Sequence, residues 1–328
     1  MIRLFLDANI LLDFYRFGAD DLAEVRKLIT MVQQEELTIY TNQLLSDEVK
    51  RMREGAIAGS FSEFKAGKFK ARVPNYCSGM DGLTELQEAL KQANKAHSAL
   101  VSKLEAQITA RTLDADTLIN DLFAQSQTIE LDADLQHRAE QRQAWNNPPR
   151  KSKDTVGDAL HWEALLSLEN MYNFHLVSRD GDFGSELKPN EIKDFLKDEW
   201  TAHGGDYAKI SLHTSLANFF RSQFPQIKLS DEAQKNALIE RLQASPNFSS
   251  THDVVEELSA FDFFTTRQVK SLFEALVENN QVGWIATDSD VNEFYLRLKN
   301  KAYLVPIDMW DEISRLLEVD EHDLFIPF

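Results

Sequence analysis

The chain has 328 residues, and its formal net charge of −18 argues against a protein that coats nucleic acid by bulk electrostatics, because affinity for phosphate comes from cations. Its 43% hydrophobic and 27% charged residues are typical of a globular protein with a sizeable core. The N-terminal stretch contains an acid and lacks a basic start, and no later stretch is apolar for long enough to cross a bilayer, so we expect neither secretion nor membrane insertion. The single cysteine, Cys77, cannot form an internal disulfide, which predicts a reducing, cytoplasmic setting.

The predicted elements alternate between strands and helices on both sides of a long middle region. In chain order they are a strand at 2–6, a helix through Phe17, a helix at 22–33, a strand at 37–40, a helix at 42–53 capped by Thr41 or Asn42, a helix at 155–172 and a strand at 174–178. This alternation predicts an α/β domain with a parallel sheet, which we place at residues 1–205.

The middle region, residues 78–147, has a different pattern. Its apolar positions recur at spacings of three and four, at Leu83, Leu86, Leu90, Ala93, His97, Leu100 and Leu104. This spacing is typical of a coiled-coil-like helix, and later leucines indicate returning helices that end at Pro148 and Pro149. We predict a helical insertion that serves as an arm toward a protein partner or a second copy of the chain, with His97 as a core residue.

A second, smaller and mostly helical unit is predicted at residues 206–328. Ser249, Ser250 or Thr251 would cap a helix through Ala260, Thr265 or Thr266 would cap a helix through Glu278, and a strand would follow at 281–286. These elements could form a helix-turn-helix variant. Glu256, Glu257 and Asp262 would repel phosphate, however, which argues against nucleic-acid reading by this unit.

One segment is basic in an otherwise acidic chain. Between residues 50 and 72, two acids accompany the cations Lys50, Arg51, Arg53, Lys65, Lys68, Lys70 and Arg72. Phe61, Phe64 and Phe69 are interleaved with them, which is one way to hold unpaired bases and their phosphates. The alternative is an ordinary solvated loop. A second basic run occupies residues 150–153.

Two acids in the first fifty residues, Asp7 and Glu48, occupy positions where an acid is unusual: one at a strand end and one on an apolar helix face. Asp7 closes the first strand, at the end where open parallel sheets bind ligands, although it could simply cap the next helix. Glu48 falls inside the apolar arc of its helix at 100° per residue, whereas Asp47 falls outside it. A carboxylate on an apolar face needs either a cationic side chain or a metal ion.

Further acids follow the middle region. In the helix after residue 153, Asp158 lies on the apolar face, Asp154 lies one turn earlier, and Glu163 lies off it. His161 borders that face, where an ordinary helix residue is the alternative to a ligand. Asp180 and Asp182 end a strand around Gly181, where a simple turn is the alternative.

Four separate segments thus carry such acids, and together they favour a metal centre. Converging carboxylates would repel one another without cations, and all-oxygen ligation suits Mg²⁺ or Mn²⁺ rather than Zn²⁺. Two such ions bound close together can stabilise the attacking and leaving oxygens of an in-line displacement at phosphorus.

The ordered motifs resemble those of the PIN-domain nucleases over residues 1–77 and 148–185. They are Leu-Asp7-Ala-Asn9, Glu48 on the helix after the second strand, Gly157-Asp158-Ala-Leu, and Val177-Ser-Arg-Asp180-Gly-Asp182-Phe. The resemblance is to the larger bacterial type, and the insertion, the C-terminal unit and Asp154 depart from the compact pattern.

This resemblance implies that Asp7, Glu48, Asp158 and Asp180 bind the metal, that Asp182 assists them, and that Asn9 orients Asp7 or contacts substrate. It implies a metal-dependent nuclease, with RNA favoured over DNA as the substrate. Hydrolysis by a metal-bound water would leave 5′-phosphate and 3′-hydroxyl ends. Asp154 and His161 are further candidates for the site. The expected substrate-binding residues are Asn9, Lys50, Arg53, Lys65, Lys68, Lys70, Lys153 and Arg179.

Two other functions compete with this one. The first is a PIN-like scaffold without turnover that binds partners through its arm, and the retained acids argue against it. The second is a phosphomonoesterase of the haloacid-dehalogenase type, which needs Asp-x-Asp after the first strand where this chain has Asp7-Ala-Asn9.

Overall fold

The computed structural model describes residues 2–16, 22–149, 156–188 and 190–325. Two compact units make up the chain. The first comprises Arg3–Arg26 and Ile39–Phe219, and the second comprises Met1–Ile2, Lys27–Thr38 and Phe220–Phe328. No helix among the described residues is long and apolar enough to cross a membrane.

A five-stranded sheet organises the fold. Its strands are β1 (Ile2–Leu6), β2 (Leu37–Thr41), β3 (Gln127–Thr128), β4 (Phe174–Val177) and β5 (Ile210–His213), in the order β3-β2-β1-β4-β5. The β2–β3, β1–β4 and β4–β5 pairings are parallel, as the alternating elements predict. The fold is therefore α/β, and the carboxyl ends of β1 and β4 lie side by side.

Nine α-helices are described between Ala8 and Gln223. They are α1 (Ala8–Asp13), α2 (Leu22–Gln33), α3 (Gln43–Ala66), α4 (Leu83–Ala110), α5 (Asp114–Ala124), α6 (Ala133–Ala144), α7 (Gly157–Leu166), α8 (Asp194–Gly204) and α9 (Leu216–Gln223). The helix α2 has the bounds that the sequence predicts. The helices α1 and α7 are shorter than predicted, and α3 is longer, because its apolar positions continue to Ala56 and Ile57, which are buried.

The middle region is only partly a separate arm. Its strand β3 hydrogen-bonds to β2, and its helix α6 packs on α7, so the region after α5 belongs to the sheet layer. The helix α4 has the mostly exposed surface expected of an arm. His97 on α4 is half-buried and not the core residue predicted, although it contacts the Phe64 carbonyl oxygen at 2.8 Å and packs against Phe64 and Phe69.

The helix α7 is buried on all sides rather than on one face. Trp162, Ala164 and Leu165 are fully buried, and Glu163, predicted to lie off the apolar face, is buried as well. Arg142 of α6 donates to Glu163 at 2.7 Å and makes a bidentate pair with Glu199 of α8. Glu163 is buried even though it lies off the apolar face, because α6 and α8 enclose the side of α7 that a single-faced helix would show to water.

The C-terminal unit is built on a second core. Its helices are α10 (Leu229–Gln243), α11 (Phe248–Ser259), α12 (Thr266–Glu278), α13 (Asn280–Gly283), α14 (Ser289–Leu296), α15 (Lys299–Ala302), α16 (Trp310–Leu317) and α17 (Glu321–Phe325). Leu258, Leu272, Phe273 and Tyr295 are among its fully buried residues.

The C-terminal region follows the sequence predictions only in part. Thr265 caps α12 as predicted, in a capping box with Gln268, whereas Asn247 rather than a serine or threonine caps α11. The strand predicted at 281–286 is wrong, because α13 and a turn occupy these residues. The boundary predicted at residue 206 precedes β5, so the sheet continues past it.

Candidate metal centre

Three carboxylates converge where β4 ends. Asp158, Asp180 and Asp182 each offer an oxygen within 4.8 Å of the other two, and we call them the acidic cluster. Asp158 lies in the first turn of α7 and is buried. The turn after β4 is fixed locally, because the Asp182 amide donates to Asp180 Oδ1 at 3.0 Å, around Gly181. The sequence motifs that predict these acids thus meet in one place.

Asp7 occupies the N-cap position of α1, but its side chain makes no capping hydrogen bond. Its Oδ2 instead accepts hydrogen bonds from Asn9 Nδ2, at 2.6 Å, and from the Ser178 hydroxyl. The carboxylate is 6% exposed and is turned toward the end of β4. Helix capping therefore does not explain Asp7, and Asn9 orients it, as the resemblance implies.

Ser178 is a site residue that the sequence analysis missed. Its hydroxyl donates to Asp7 and accepts from the Asp180 amide at 3.0 Å, so it joins Asp7 to the acidic cluster. The register of β1 and β4 pairs Leu6 with Val177, which brings the next residues, Asp7 and Ser178, side by side. No local sequence pattern marks this contact, because the register joins two distant segments of the chain.

Glu48 contacts α7 through a histidine. Its Oε2 lies 3.6 Å from His161 Nε2, and its side chain is 23% exposed. His161 is 2% exposed, and its Nδ1 lies 3.0 Å from the side-chain nitrogen of Asn42. Asp47, the neighbour predicted to lie outside the apolar arc, is exposed and accepts from Gln43. The structure thus separates Glu48 from Asp47 as the helical period predicts.

The donor set suits a hard divalent cation. The acidic cluster offers carboxylate oxygens, which Mg²⁺ and Mn²⁺ prefer. Cys77, the single cysteine of the chain, is not among its residues. Three carboxylates this close repel one another, and a cation would offset that repulsion. Asp158, Asp180 and Asp182 are the residues that could hold such an ion.

The predicted substrate-binding cations differ in their surroundings. Arg53 forms a bidentate pair with Asp116 at 2.6 Å and is 14% exposed, so it joins α3 to α5, and we remove it from the candidate surface. Lys65 pairs with Glu105 at 2.6 Å, and the Arg179 guanidinium pairs with Asp13. Lys50, Lys68 and Lys70 are exposed. Lys153 and Asp154 lie outside the described residues.

Comparison with known proteins identifies the family. A family model described as a PIN domain matches residues 4–183, which contain Asp7, Glu48 and the three acids of the acidic cluster. The chain belongs to the PIN-domain family, whose members are generally nucleases that use divalent metals. Neither a comparison with curated proteins nor one with solved structures finds a match.

Proposed function

We propose that the protein is a metal-dependent endoribonuclease that hydrolyses phosphodiester bonds with Mg²⁺ or Mn²⁺. The observation that carries the proposal is the convergence of Asp158, Asp180 and Asp182 within 4.8 Å. Membership of the PIN-domain family supports the same chemistry. RNA is the proposed substrate, cut to leave 5′-phosphate and 3′-hydroxyl ends.

Each acidic residue has a role in this proposal. Asp158, Asp180 and Asp182 bind the ion, and Asp7 and Glu48 complete its surroundings. When bound, the ion supplies Lewis acidity to the scissile phosphate and activates water. Asn9 and Ser178 hold Asp7 in place through the hydrogen bonds to its Oδ2. Asp158 itself is buried, which would strengthen its electrostatic interaction with the ion.

Exposed residues of α3 and of the segment after it form the proposed substrate surface. Lys50, Lys68 and Lys70 would hold phosphates, and Phe69, which is 51% exposed, would stack on an unpaired base. A strand bound by stacking must present unpaired bases, which favours single-stranded RNA. The helix α4 is the proposed surface for a protein partner or a second copy of the chain.

The first experiment compares the full chain with its Asp158→Asn variant in chelator and in Mn²⁺. Without metal, the variant should melt at the same temperature as the wild type or higher, because one of three repelling charges is removed. Saturating Mn²⁺ should raise the melting temperature of the wild type by roughly 5 °C, since a ligand that binds only the native state stabilises it. The variant should lose most of this gain and should not cleave single-stranded RNA.

The control is Asp47→Asn, which removes an exposed acid from the same helix as Glu48. It should keep the response to Mn²⁺ and the cleavage of RNA. A wild-type protein without any response to Mn²⁺, combined with a less stable Asp158→Asn variant, would mean that these acids are structural ion-pair partners. The alternative, a PIN-domain scaffold without turnover, predicts metal binding without cleavage.

A further inference from the structure

The orientation of the buried Asn42 side-chain amide fixes the tautomer of His161, the histidine that lies next to Glu48. Asn42 caps α3, and its side-chain oxygen accepts a hydrogen bond from the Leu45 amide at 2.9 Å. An N–H donor can be satisfied only by an acceptor, so the oxygen of Asn42 must face Leu45. The NH₂ group of Asn42 therefore faces the opposite way, toward His161.

The contact between Asn42 and His161 then determines which ring nitrogen carries the proton. The Asn42 NH₂ group lies 3.0 Å from His161 Nδ1, and an amide NH₂ group only donates. Nδ1 must accept this hydrogen bond, so the ring proton is on Nε2. Both side chains are nearly inaccessible, at 1% and 2% exposure.

The Nε2–H group of His161 points toward Glu48. Among the described residues Nε2 is buried and makes no hydrogen bond, and Glu48 Oε2 lies 3.6 Å from it. This distance exceeds that of a hydrogen bond, and a small rotation of the Glu48 carboxylate would shorten it. With Nδ1 accepting from Asn42 and Nε2 protonated, neither ring nitrogen offers a lone pair to a metal, which argues against His161 as a ligand.

We infer that His161 is a positioning residue that holds one oxygen of Glu48 through the Nε2–H that Asn42 imposes, and so presents the other oxygen to the cation. The inference rests on the proposed function, in which Glu48 belongs to the metal centre. His161 lies one turn after Asp158 on α7, so it fixes Glu48 relative to the helix that carries a cluster acid. Outer hydrogen bonds of this kind orient metal-binding carboxylates.

The first test needs no metal and no activity. Nitrogen-15 chemical shifts of the imidazole in the full chain, assigned by their loss in His161→Gln, report which nitrogen is protonated. We expect the Nε2–H form in the wild type. Asn42→Asp keeps an acceptor for the Leu45 amide but replaces the NH₂ group with an oxygen, so it should protonate Nδ1. An Nδ1–H form in the wild type would overturn the inference.

The second test measures Mn²⁺ affinity by the electron paramagnetic resonance signal of the unbound ion. His161→Phe keeps a ring but removes the donor, and it should weaken binding by about tenfold or more. His161→Gln retains an N–H donor that can reach Glu48 and should restore most of the affinity, which a purely structural role would not predict. Asn42→Asp should weaken binding while α3 stays capped. The control, His137→Gln on α6, should leave affinity unchanged.

The outcomes separate this inference from the proposed function. Wild-type affinity in both His161→Phe and Asn42→Asp, with loss of binding in Asp158→Asn, would overturn the positioning role alone. Absence of Mn²⁺ binding by the wild type would overturn the proposed function and the role of Glu48 with it. Equal losses in His161→Phe and His161→Gln would also count against the inference, because the retained donor would have had no effect.

Discussion

Two histidines away from the acidic cluster share a hydrogen bond between neighbouring strands. His175 Nδ1 on β4 lies 2.9 Å from His213 Nε2 on β5, and their rings stack beside Phe219. Both pKa values are lowered to about 4, for His213 by burial and for His175 by burial together with the adjacent His213. Both rings are therefore neutral in the folded protein near pH 7.

This pair predicts a loss of stability in mild acid. The unfolded chain takes up protons near pH 6.5 and the folded chain only near pH 4, so the free energy of unfolding should fall as the pH drops between these values. His213→Gln should reduce the loss between pH 7 and pH 5 by about 1 kcal/mol, allowing for solvent screening. Urea unfolding at the two pH values measures it.

The control for this pair is the exposed His137 on α6, where His137→Gln should leave the pH dependence unchanged. If His213→Gln lost as much stability between pH 7 and pH 5 as the wild type, other groups would account for the acid sensitivity. The effect is structural, because the residues lie on the sheet and not in the acidic cluster.

Single residues also show how far the sequence predicts the site. Asp7, Asp158, Asp180 and Asp182 could be found because strand ends and helix periods are local properties. Ser178 could not, because its role depends on the register between β1 and β4, which are about 170 positions apart in the chain. The hydrogen bond from Asn42 to His161 likewise joins residues that no local pattern connects.

At the scale of elements, periodicity predicts burial correctly where a helix has one buried face and fails where a helix is buried on all sides. The helix α3 separates Glu48 from Asp47 as predicted. The helix α7 is enclosed by its neighbours, so Glu163 is buried despite lying off the apolar arc. The strand predicted at 281–286 is instead the end of α13 and a turn, because a short apolar run fits either a buried strand or a buried helix. The two-residue strand β3 is too short to leave a pattern.

The turn between α2 and β2 stabilises the start of α12 through hydrogen bonds that Gln34 and Glu36 accept. Glu36 Oε1 accepts from the backbone amide and the hydroxyl of Thr266 and pairs with Lys301 at 2.7 Å. The Arg267 amide donates to the Gln34 carbonyl oxygen. These bonds satisfy amides at a helix N-terminus, where the helix dipole favours a negative charge.

Removing that charge should weaken the C-terminal unit. Glu36→Gln keeps an acceptor for Thr266 but loses the ion pair with Lys301, so we expect a loss of about 1–2 kcal/mol in the free energy of unfolding. Urea titration followed by intrinsic fluorescence measures it. Glu256→Gln, which changes an exposed acid of α11, should have little effect. A loss of the same size in Glu256→Gln would indicate a general effect of charge.

At the scale of the whole molecule, the two compact units are not consecutive halves of the chain. The segment Lys27–Thr38, which lies within the residues matched by the PIN-domain model, belongs to the same unit as Phe220–Phe328. Fragments cut at residue 205 or 219 would therefore leave Gln34 and Glu36 without their partners Thr265 and Lys301. Experiments on activity should use the full chain.

With a net charge of −18, the protein repels nucleic acid at long range, so binding must depend on a few local cations. Binding of single-stranded RNA to the inactive Asp158→Asn variant should weaken with salt in proportion to the phosphates contacted. Adding Lys68→Gln and Lys70→Gln should lower the slope of log K against log salt concentration by roughly 1.

This slope distinguishes a phosphate-binding surface from an ordinary solvated segment, because a change that only perturbed the fold would alter affinity without changing the number of ions released. Lys299→Gln in the same Asp158→Asn background removes an equally exposed cation from the C-terminal unit and should leave the slope unchanged. A slope that stays the same after both substitutions at Lys68 and Lys70 would remove this segment from the substrate surface. Lys50, an exposed cation of α3, would then be the next to test by the same measurement.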